Sequence, residues 1–174
     1  FITGYTNSPD FPVWNAFQRY YHDNVDAFVV KLNATATELI YSTYLGGARE
    51  DIGNGIAISS GGQAYVVGST TSPSTGPNRF PTANVFQSSL NDGKDIFVTK
   101  FRPDGQDLEF STYLGGSGDD RALSIVVDSR GQPYFTGITS SSDIPTALGS
   151  MDRSINTGST SGFTNYGRDP DNPY

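Results

Sequence analysis

The sequence predicts an all-β protein made of tandem repeats of short antiparallel strands. Residues 26–72 recur as residues 95–141 at a constant offset of 69, with 20 identities among the 47 aligned positions. Self-similarity at such a period indicates a repeat architecture, in which each unit buries its apolar face against the next. The 20 Gly and 10 Pro supply many turns, and the sequence has no stretch with the period of a long amphipathic helix.

The offset divides the chain into about two and a half repeats. Residues 1–25 are predicted to hold the last strand and the connector of a partial first repeat, and residues 26–94 form a complete repeat. Residues 95–161 form a second complete repeat with a divergent end. Residues 162–174 are an irregular tail rich in Gly, Asn, Asp and Pro, with little apolar surface to offset the entropy of ordering.

Each complete repeat is predicted to contain four strands. In the second copy these are residues 95–101, 108–114, 123–128 and 133–138, and the first of them alternates in the period-two pattern of a half-buried strand. Pro and Asp-Gly between the first two strands provide turn chemistry. Four antiparallel strands per repeat are typical of a β-propeller blade.

A glycine pair follows the second strand of each repeat. Gly46 and Gly47 occupy this position in the first copy, and Gly115 and Gly116 occupy it in the second. Without β-carbons the chain can turn sharply and approach its neighbours closely. A phosphate-binding loop is disfavoured, because no Lys-Ser/Thr pair or helix follows and acidic residues lie beside the pair.

Aromatic rings are expected to dominate the core. Only 35% of the residues are hydrophobic, but 13% of the chain is aromatic, and each buried ring contributes a large apolar area. The residues predicted to be structural are Phe28, Phe97, Tyr44, Tyr113, Leu45, Leu114, Tyr65 and Tyr134.

Composition excludes several classes of function. The net charge is −7 with only 11 Lys and Arg, which disfavours nucleic-acid binding because phosphates require clustered basic residues. The chain has no Cys, so thiol catalysis, Cys-bound zinc and disulfides are all absent. No apolar run reaches the length of a membrane-spanning segment.

Paired acids are the candidate metal ligands. Glu50 and Asp51 lie in the same loop as Asp119 and Asp120 one repeat later, and carboxylates on a Gly-flanked loop suit Ca²⁺. The alternative is structural, in which these acids cap strand ends, bond to backbone amides or pair with neighbouring arginines. No other cofactor is expected.

Exposed aromatic residues are the candidate contacts for a glycan or a protein partner. Trp14, Tyr20 and Tyr21 cluster in the first connector, and rings can stack on sugar faces. A place in the core is the alternative for each of them.

Catalysis is not expected. His22 is the only histidine and is predicted to be a loop residue, since it has no second metal ligand or triad partner. No serine lies in a Gly-x-Ser-x-Gly motif, and the acid pairs recur at the repeat period like architecture. The protein is therefore predicted not to be an enzyme.

Four motifs in the second copy resemble the seven-bladed β-propeller repeat family, a bacterial and archaeal repeat of exported and cell-surface proteins. They are Asp-Ile-Phe-Val-x-Lys (95–100), Ser-Thr-Tyr-Leu-Gly-Gly-Ser-Gly-Asp-Asp (111–120), Val-Asp-Ser-x-Gly (127–131) and Tyr-Phe-Thr-Gly (134–137). The resemblance covers residues 1–146. It implies all-β blades, an extracellular or cell-surface location and a scaffold or adhesion role, with no catalytic residues to carry over.

Two departures from the family pattern are present. The sequence Ala-Arg-Glu-Asp at 48–51 stands where the family prefers Ser-Gly-Asp-Asp, and Ser-Gly-Phe-Thr at 161–164 replaces the expected Asp-x-Phe-Val-x-Lys.

The number of repeats predicts assembly. A closed propeller needs about four to eight blades, so two and a half repeats are not closed by one chain, and exposed strand edges recruit other strands. We expect a noncatalytic structural protein of the cell surface or extracellular matrix, which self-assembles with other copies through strand edges or blade stacking into an oligomer or filament. The alternative is an adhesion module excerpted from a larger secreted protein, with a polysaccharide or surface proteins as partners.

Overall fold

A computed structural model describes residues 1–147 of the chain, so the divergent end of the second repeat and the irregular tail lie outside the described residues. The described part contains nine strands and no helix. They are β1 (Ile2–Thr6), β2 (Asp26–Leu32), β3 (Leu39–Leu45), β4 (Asp51–Ile58), β5 (Ala64–Thr70), β6 (Asp95–Phe101), β7 (Leu108–Leu114), β8 (Asp120–Val127) and β9 (Pro133–Thr139).

The strands form three antiparallel sheets. The first has the order β1-β2-β3, the second β4-β5-β6-β7 and the third β8-β9. The predicted all-β, propeller-type fold is therefore confirmed, and within residues 1–147 the sheets do not close into a ring. The same residues include no helix long and apolar enough to cross a membrane.

The sheets are offset from the sequence repeats by half a repeat. The four strands predicted in the second copy all form, but β6 and β7 belong to the second sheet while β8 and β9 make the third. The reason lies in the connections. The Gly-Gly corner after β7 carries the chain to a new sheet, whereas the long connector after β5 returns it to the same one.

Successive sheets meet at their first strands. β4 lies beside β8 and beside β1, and the Asn54 side chain donates a hydrogen bond of 2.8 Å to the carbonyl oxygen of Ala122. A β-carbon on Gly55 would lie 3.2 Å from the Cα of Ser124. Glycine at this irregular point of β4 thus permits the close approach of the two strands. We call β4 and β8 the inner strands.

The outer edges of β3 and β7, far from the inner strands, are covered by connectors. Trp14 and Gln18 pair with β3, and Ala83 and Gln87 pair with β7 in the same way. Connectors thereby satisfy the backbone groups of the outer strands. In the described part, β1 and β9 each have a second edge that no connector covers. The outer edges of β4 and β8 meet a connector only at their first residues, where the amide of Asp51 donates to the carbonyl oxygen of Val25 and that of Asp120 to that of Lys94.

The core consists of two apolar layers, one between each pair of successive sheets. Ala64 and Val66 of β5 belong to the layer against the first sheet, while Tyr65 and Val67 belong to the layer against the third. All seven residues of β5 are buried. Strand alternation therefore gives the second sheet two apolar faces, each covered by a neighbouring sheet.

The predicted core residues differ in burial. Those with at most 1% exposure are Phe97, Tyr44, Tyr113, Leu45 and Tyr65. Phe28 and Leu114 are half-buried. Tyr134 is 56% exposed, so its prediction as a core residue is wrong for the described part. The reason is that its side chain lies on the face of β9 that no described sheet covers.

Phe97→Ala should lower the free energy of unfolding by about 3–5 kcal/mol. The reason is that the ring of Phe97 is fully buried and packs on the ring of Phe80, with 5.0 Å between the ring centroids. The matched control is Phe86→Ala, whose ring is 73% exposed and whose loss should cost under about 0.5 kcal/mol. Urea denaturation of the dilute protein measures both. Equal losses in the two variants would contradict the assignment of the core.

Candidate functional site

The densest polar clusters lie at the two Gly-Gly corners between sheets. Corner 1 consists of Gln18, Asp26, Gly46, Gly47, Asp51 and Ser72. Corner 2 consists of Gln87, Asp95, Gly115, Gly116, Asp120 and Ser141. Each corner joins the outer strand of one sheet to the inner strand of the next.

A glutamine from the connector bridges the first acid and the first glycine of each corner. In corner 1, Gln18 Nε2 donates to Asp26 Oδ2 at 3.2 Å, and the Gly46 amide donates to Gln18 Oε1 at 3.0 Å. The backbone amide of His22 also donates to Asp26 Oδ2, at 3.0 Å. His22 lies in a loop, as predicted, and its backbone amide forms part of the wall of corner 1.

The second acid of corner 1 holds the second glycine. Asp51 Oδ2 accepts hydrogen bonds from the Gly47 amide at 2.7 Å and from the Ser72 hydroxyl at 2.8 Å. The acid of the inner strand thus fixes both the turn and the segment that leaves β5.

Corner 2 repeats these contacts. Gln87 Nε2 donates to Asp95 Oδ2 at 2.7 Å, and the Gly115 amide donates to Gln87 Oε1 at 3.0 Å. Asp120 Oδ2 accepts from the Gly116 amide at 2.8 Å and from the Ser141 hydroxyl at 2.7 Å. The same arrangement, built twice at an offset of 69 residues, accounts for much of the repeated sequence.

Close approach explains the first glycine of each pair. A β-carbon on Gly46 would lie 2.5 Å from Asp26 Oδ1 and 2.7 Å from Asp51 Oδ2. On Gly115 it would lie 2.4 Å from Asp95 Oδ1 and 2.8 Å from Asp120 Oδ2. The glycine backbone fills the space between two carboxylates, and any side chain would collide with them.

Burial sets the electrostatics of the corners. It raises the pKa of Asp26 to about 7 and that of Asp51 to about 7, against the opposing effect of the hydrogen bonds that both accept. Burial likewise raises the pKa of Asp95 to about 6. The charge of Asp51 also raises the pKa of Asp26. Oδ1 of these three acids and of Asp120 has no hydrogen-bond partner among the described residues.

The predicted calcium ligands do not converge. Asp51 and Asp120 point into the corners and are fully buried, whereas Glu50 forms an ion pair with Lys94 and Asp119 is exposed. Strand alternation sends the two neighbouring carboxylates in opposite directions. Within residues 1–147, no group of three or more His, Asp or Glu side chains is placed to hold a metal ion.

The aromatic candidates are also separated in role. Trp14 is 57% exposed and Tyr20 is 77% exposed, while the ring of Tyr21 packs on Tyr44 at 5.9 Å. Tyr20 borders an open cleft of about 370 Å³ between the two connectors. The residues that line this cleft are Phe17, Gln18, Arg19, Tyr20, His22 and Pro81.

Sequence reasoning missed the bridging glutamines, the serines and the buried role of the first acid in each corner. The signal was present in the spacing. Glutamine precedes the first acid by eight residues in both copies, and serine follows the second acid by 21 residues in both. Equal spacing of polar residues around a glycine pair indicates a shared hydrogen-bond network.

The offset sheets, the inner strands and the twice-built corners define an all-β, propeller-type fold. Comparison with protein families supports the resemblance noted in the sequence: residues 40–73 match the family described as Beta-propeller repeat. Residues 40–73 are therefore similar to a repeat of this family. The matched region runs from β3 to the residue after Ser72 and includes both glycines of corner 1. The comparison with curated proteins found no match.

Stability should fall as the pH rises from about 4 to about 7. The pKa values of Asp26, Asp51 and Asp95 are raised above the unfolded value near 3.9, so the folded state holds protons that the unfolded state has released. We expect the free energy of unfolding to be lower at pH 8 than at pH 5 by about 2 kcal/mol or more, as measured by urea denaturation.

Asp51→Asn should weaken this pH dependence, because it removes one titrating group and keeps the shape of the neutral acid. Asp119→Asn makes the same chemical change on an exposed side chain and should leave the dependence unchanged. A wild-type protein that gains stability between pH 5 and pH 8 would show that the buried acids do not control the titration.

Proposed function

We propose that this protein is a noncatalytic structural module of the β-propeller type, which assembles with further copies of itself through the open side of its third sheet. We further propose that it acts outside the cell or at the cell surface. The observation that carries the proposal is the contrast between equivalent positions in β5 and β9.

Residues that are buried in β5 have exposed counterparts in β9. Tyr65 is fully buried, while Tyr134, 69 residues later, is 56% exposed. Ser69 is 2% exposed, while its counterpart Ile138 is 59% exposed and is larger and more apolar. In the second sheet, the equivalent face is covered by the third sheet. The exposed face of the third sheet is therefore suited to being covered by another sheet of the same kind.

Further exposed apolar side chains lie on the inner strand β8 and in the second connector. Leu123 and Val126 of β8 are 51% and 62% exposed. Phe17 packs edge-on against Phe101 of the next sheet at 6.0 Å, whereas its counterpart Phe86 is 73% exposed. The third sheet and the connector before it therefore leave large apolar side chains exposed, as at an interaction surface.

The corners support a structural rather than catalytic role. Their four carboxylates are fully buried, and one oxygen of each is occupied by backbone amides or neighbouring side chains. A substrate would have no access to them. The proposed location rests on the Beta-propeller repeat match over residues 40–73 together with the family resemblance of the wider sequence.

Light scattering coupled to size-exclusion chromatography tests the assembly. The wild-type chain should elute as a particle of several times its mass of 18.7 kDa. Tyr134→Asp should shift the particle toward the monomer, because it places a charge on the open face. Tyr20→Asp introduces the same charge on a more exposed ring away from β8 and β9 and should leave the mass unchanged.

A wild-type protein that remains a folded monomer at high concentration would contradict the proposal. Equal effects of the two substitutions would show that the open face of the third sheet is not the contact.

A further inference from the structure

We propose that β9 of one copy pairs with β2 of a second copy, in the place that the second copy's own β1 occupies. This inference rests on the proposed function and names the partner of the third sheet. It produces a composite sheet of four strands, in the order β8-β9 from one copy followed by β2-β3 from the other.

The composite sheet has the same composition as the sheet that one chain completes alone. In the second sheet, β4 and β5 form the inner pair and β6 and β7 the outer pair. β8 and β9 are the repeat equivalents of β4 and β5, and β2 and β3 are the equivalents of β6 and β7. An inner pair without outer strands and an outer pair without an inner strand therefore lie at opposite sides of the described fold.

The register of β1 on β2 matches that of β5 on β6. Gly4 lies opposite Phe28, and Gly68 lies opposite Phe97. In β9 the equivalent glycine is Gly137, which the same register would place opposite Phe28 of a second copy. β9 therefore offers β2 the same alignment that β1 offers it now.

A steric requirement selects strands with this glycine. A β-carbon on Gly4 would lie 3.0 Å from the ring of Phe28, and one on Gly68 would lie 2.8 Å from the ring of Phe97. The phenylalanine thus lies across the backbone of the neighbouring strand. Gly137 gives β9 the same open backbone, although a β-carbon there would also collide with the carbonyl oxygen of Arg121 in β8. Thr139 stands where Thr6 now faces Asp26.

β9 offers β2 a better-supported partner than β1 does. Neither strand has a buried position, but β1 has five residues whereas β9 has seven and is also hydrogen-bonded to β8. Ile2 and Tyr5 are already 46% and 62% exposed, so release of β1 sacrifices little apolar burial. The exchange keeps the number of paired strands and places an inner strand beside the described β2 and β3.

The added inner strand also covers exposed apolar surface. In the existing joint, β8 lies beside β4, and Ala57 of β4 packs against the layer between the second and third sheets. In the composite, β8 would lie beside β4 of the second copy. Val126, the counterpart of Ala57, would then face the second sheet of that copy and lose its exposure.

Among the described strands, the arrangement gives two four-stranded sheets per copy. Repetition around a closed ring would place six blades in three copies or eight in four, within the range of about four to eight blades that closed propellers use. The same joint without closure would give a filament.

Engineered cysteines test the exchange in the full chain, which has no Cys of its own. Val29 pairs with Thr3 in the present fold. Thr136 and Val29 are the repeat equivalents of Val67 and Val98, which lie opposite each other in β5 and β6. The same register would place Thr136 opposite Val29 of a second copy. Opposed residues of antiparallel strands are close enough for a disulfide. T136C/V29C should form a ladder of linked copies on a non-reducing gel after mild oxidation. T3C/V29C should retain free thiols in the assembled protein.

Single variants T136C and V29C control for random cross-linking. Should Val29→Cys fail to fold in the reduced state, the pairs I138C/A27C and Y5C/A27C report the same two registers. An internal disulfide in nearly all T3C/V29C chains, or no ladder from T136C/V29C beyond that of T136C alone, would overturn the exchange. If the wild-type particle is nevertheless multimeric, the proposed assembly stands and only this pairing falls. A monomeric wild type would overturn both.

Discussion

A sheet with apolar side chains on both faces is stable only between two other layers, and this constraint governs the whole molecule. The second sheet satisfies it within one chain, since the first and third sheets cover its two faces. All seven residues of β5 are buried as a result. The third sheet carries the same alternation, but among residues 1–147 only one of its faces is covered. Its exposed tyrosine and aliphatic side chains follow directly from the pattern that buries their counterparts one repeat earlier.

The two corners fix how each sheet is placed against the next. Each places a glycine between two buried carboxylates and holds the turn with a connector glutamine and with a serine from the segment that follows the strand after next. Because the glycine backbone fills the space between the acids, the two sheets can approach only when that residue has no side chain. The cost is a set of buried acids with one unpartnered oxygen each. For Asp26, Asp51 and Asp95, that burial raises the pKa above its ordinary value.

Sequence alone was sufficient for the architecture, because periodicity and turn chemistry are local signals. The strands β6 and β7 begin and end where the alternation and the glycine turns predict. The grouping of the strands into sheets, which is offset by half a repeat from the sequence repeats, could not be predicted in the same way. Whether β5 pairs with β6 or begins a separate sheet depends on long-range pairing across a connector, and the repeat period is identical in both cases. Tyr134 shows the same limit, since its residue type matches a core position but its burial depends on a neighbouring sheet.

The corners were only partly predictable. The glycine pairs stood out as turns, and Asp51 and Asp120 stood out as acids, yet their chemistry was assigned to the loop and not to the interior. Gln18 gave no signal by itself, because a polar residue in a connector is normally solvated. Its role emerges only when its distance along the chain from Asp26 is compared with that of Gln87 from Asp95. Two copies of a weak pattern are more informative than either copy alone.

Hydrogen exchange as a function of protein concentration tests most directly whether the third sheet is completed by another copy. The account predicts that amides of β9 become protected as the concentration rises, while amides of β1 lose protection and those of β5 stay protected throughout. Exchange at β9 that is rapid at every concentration, beside a protected β5, would contradict it.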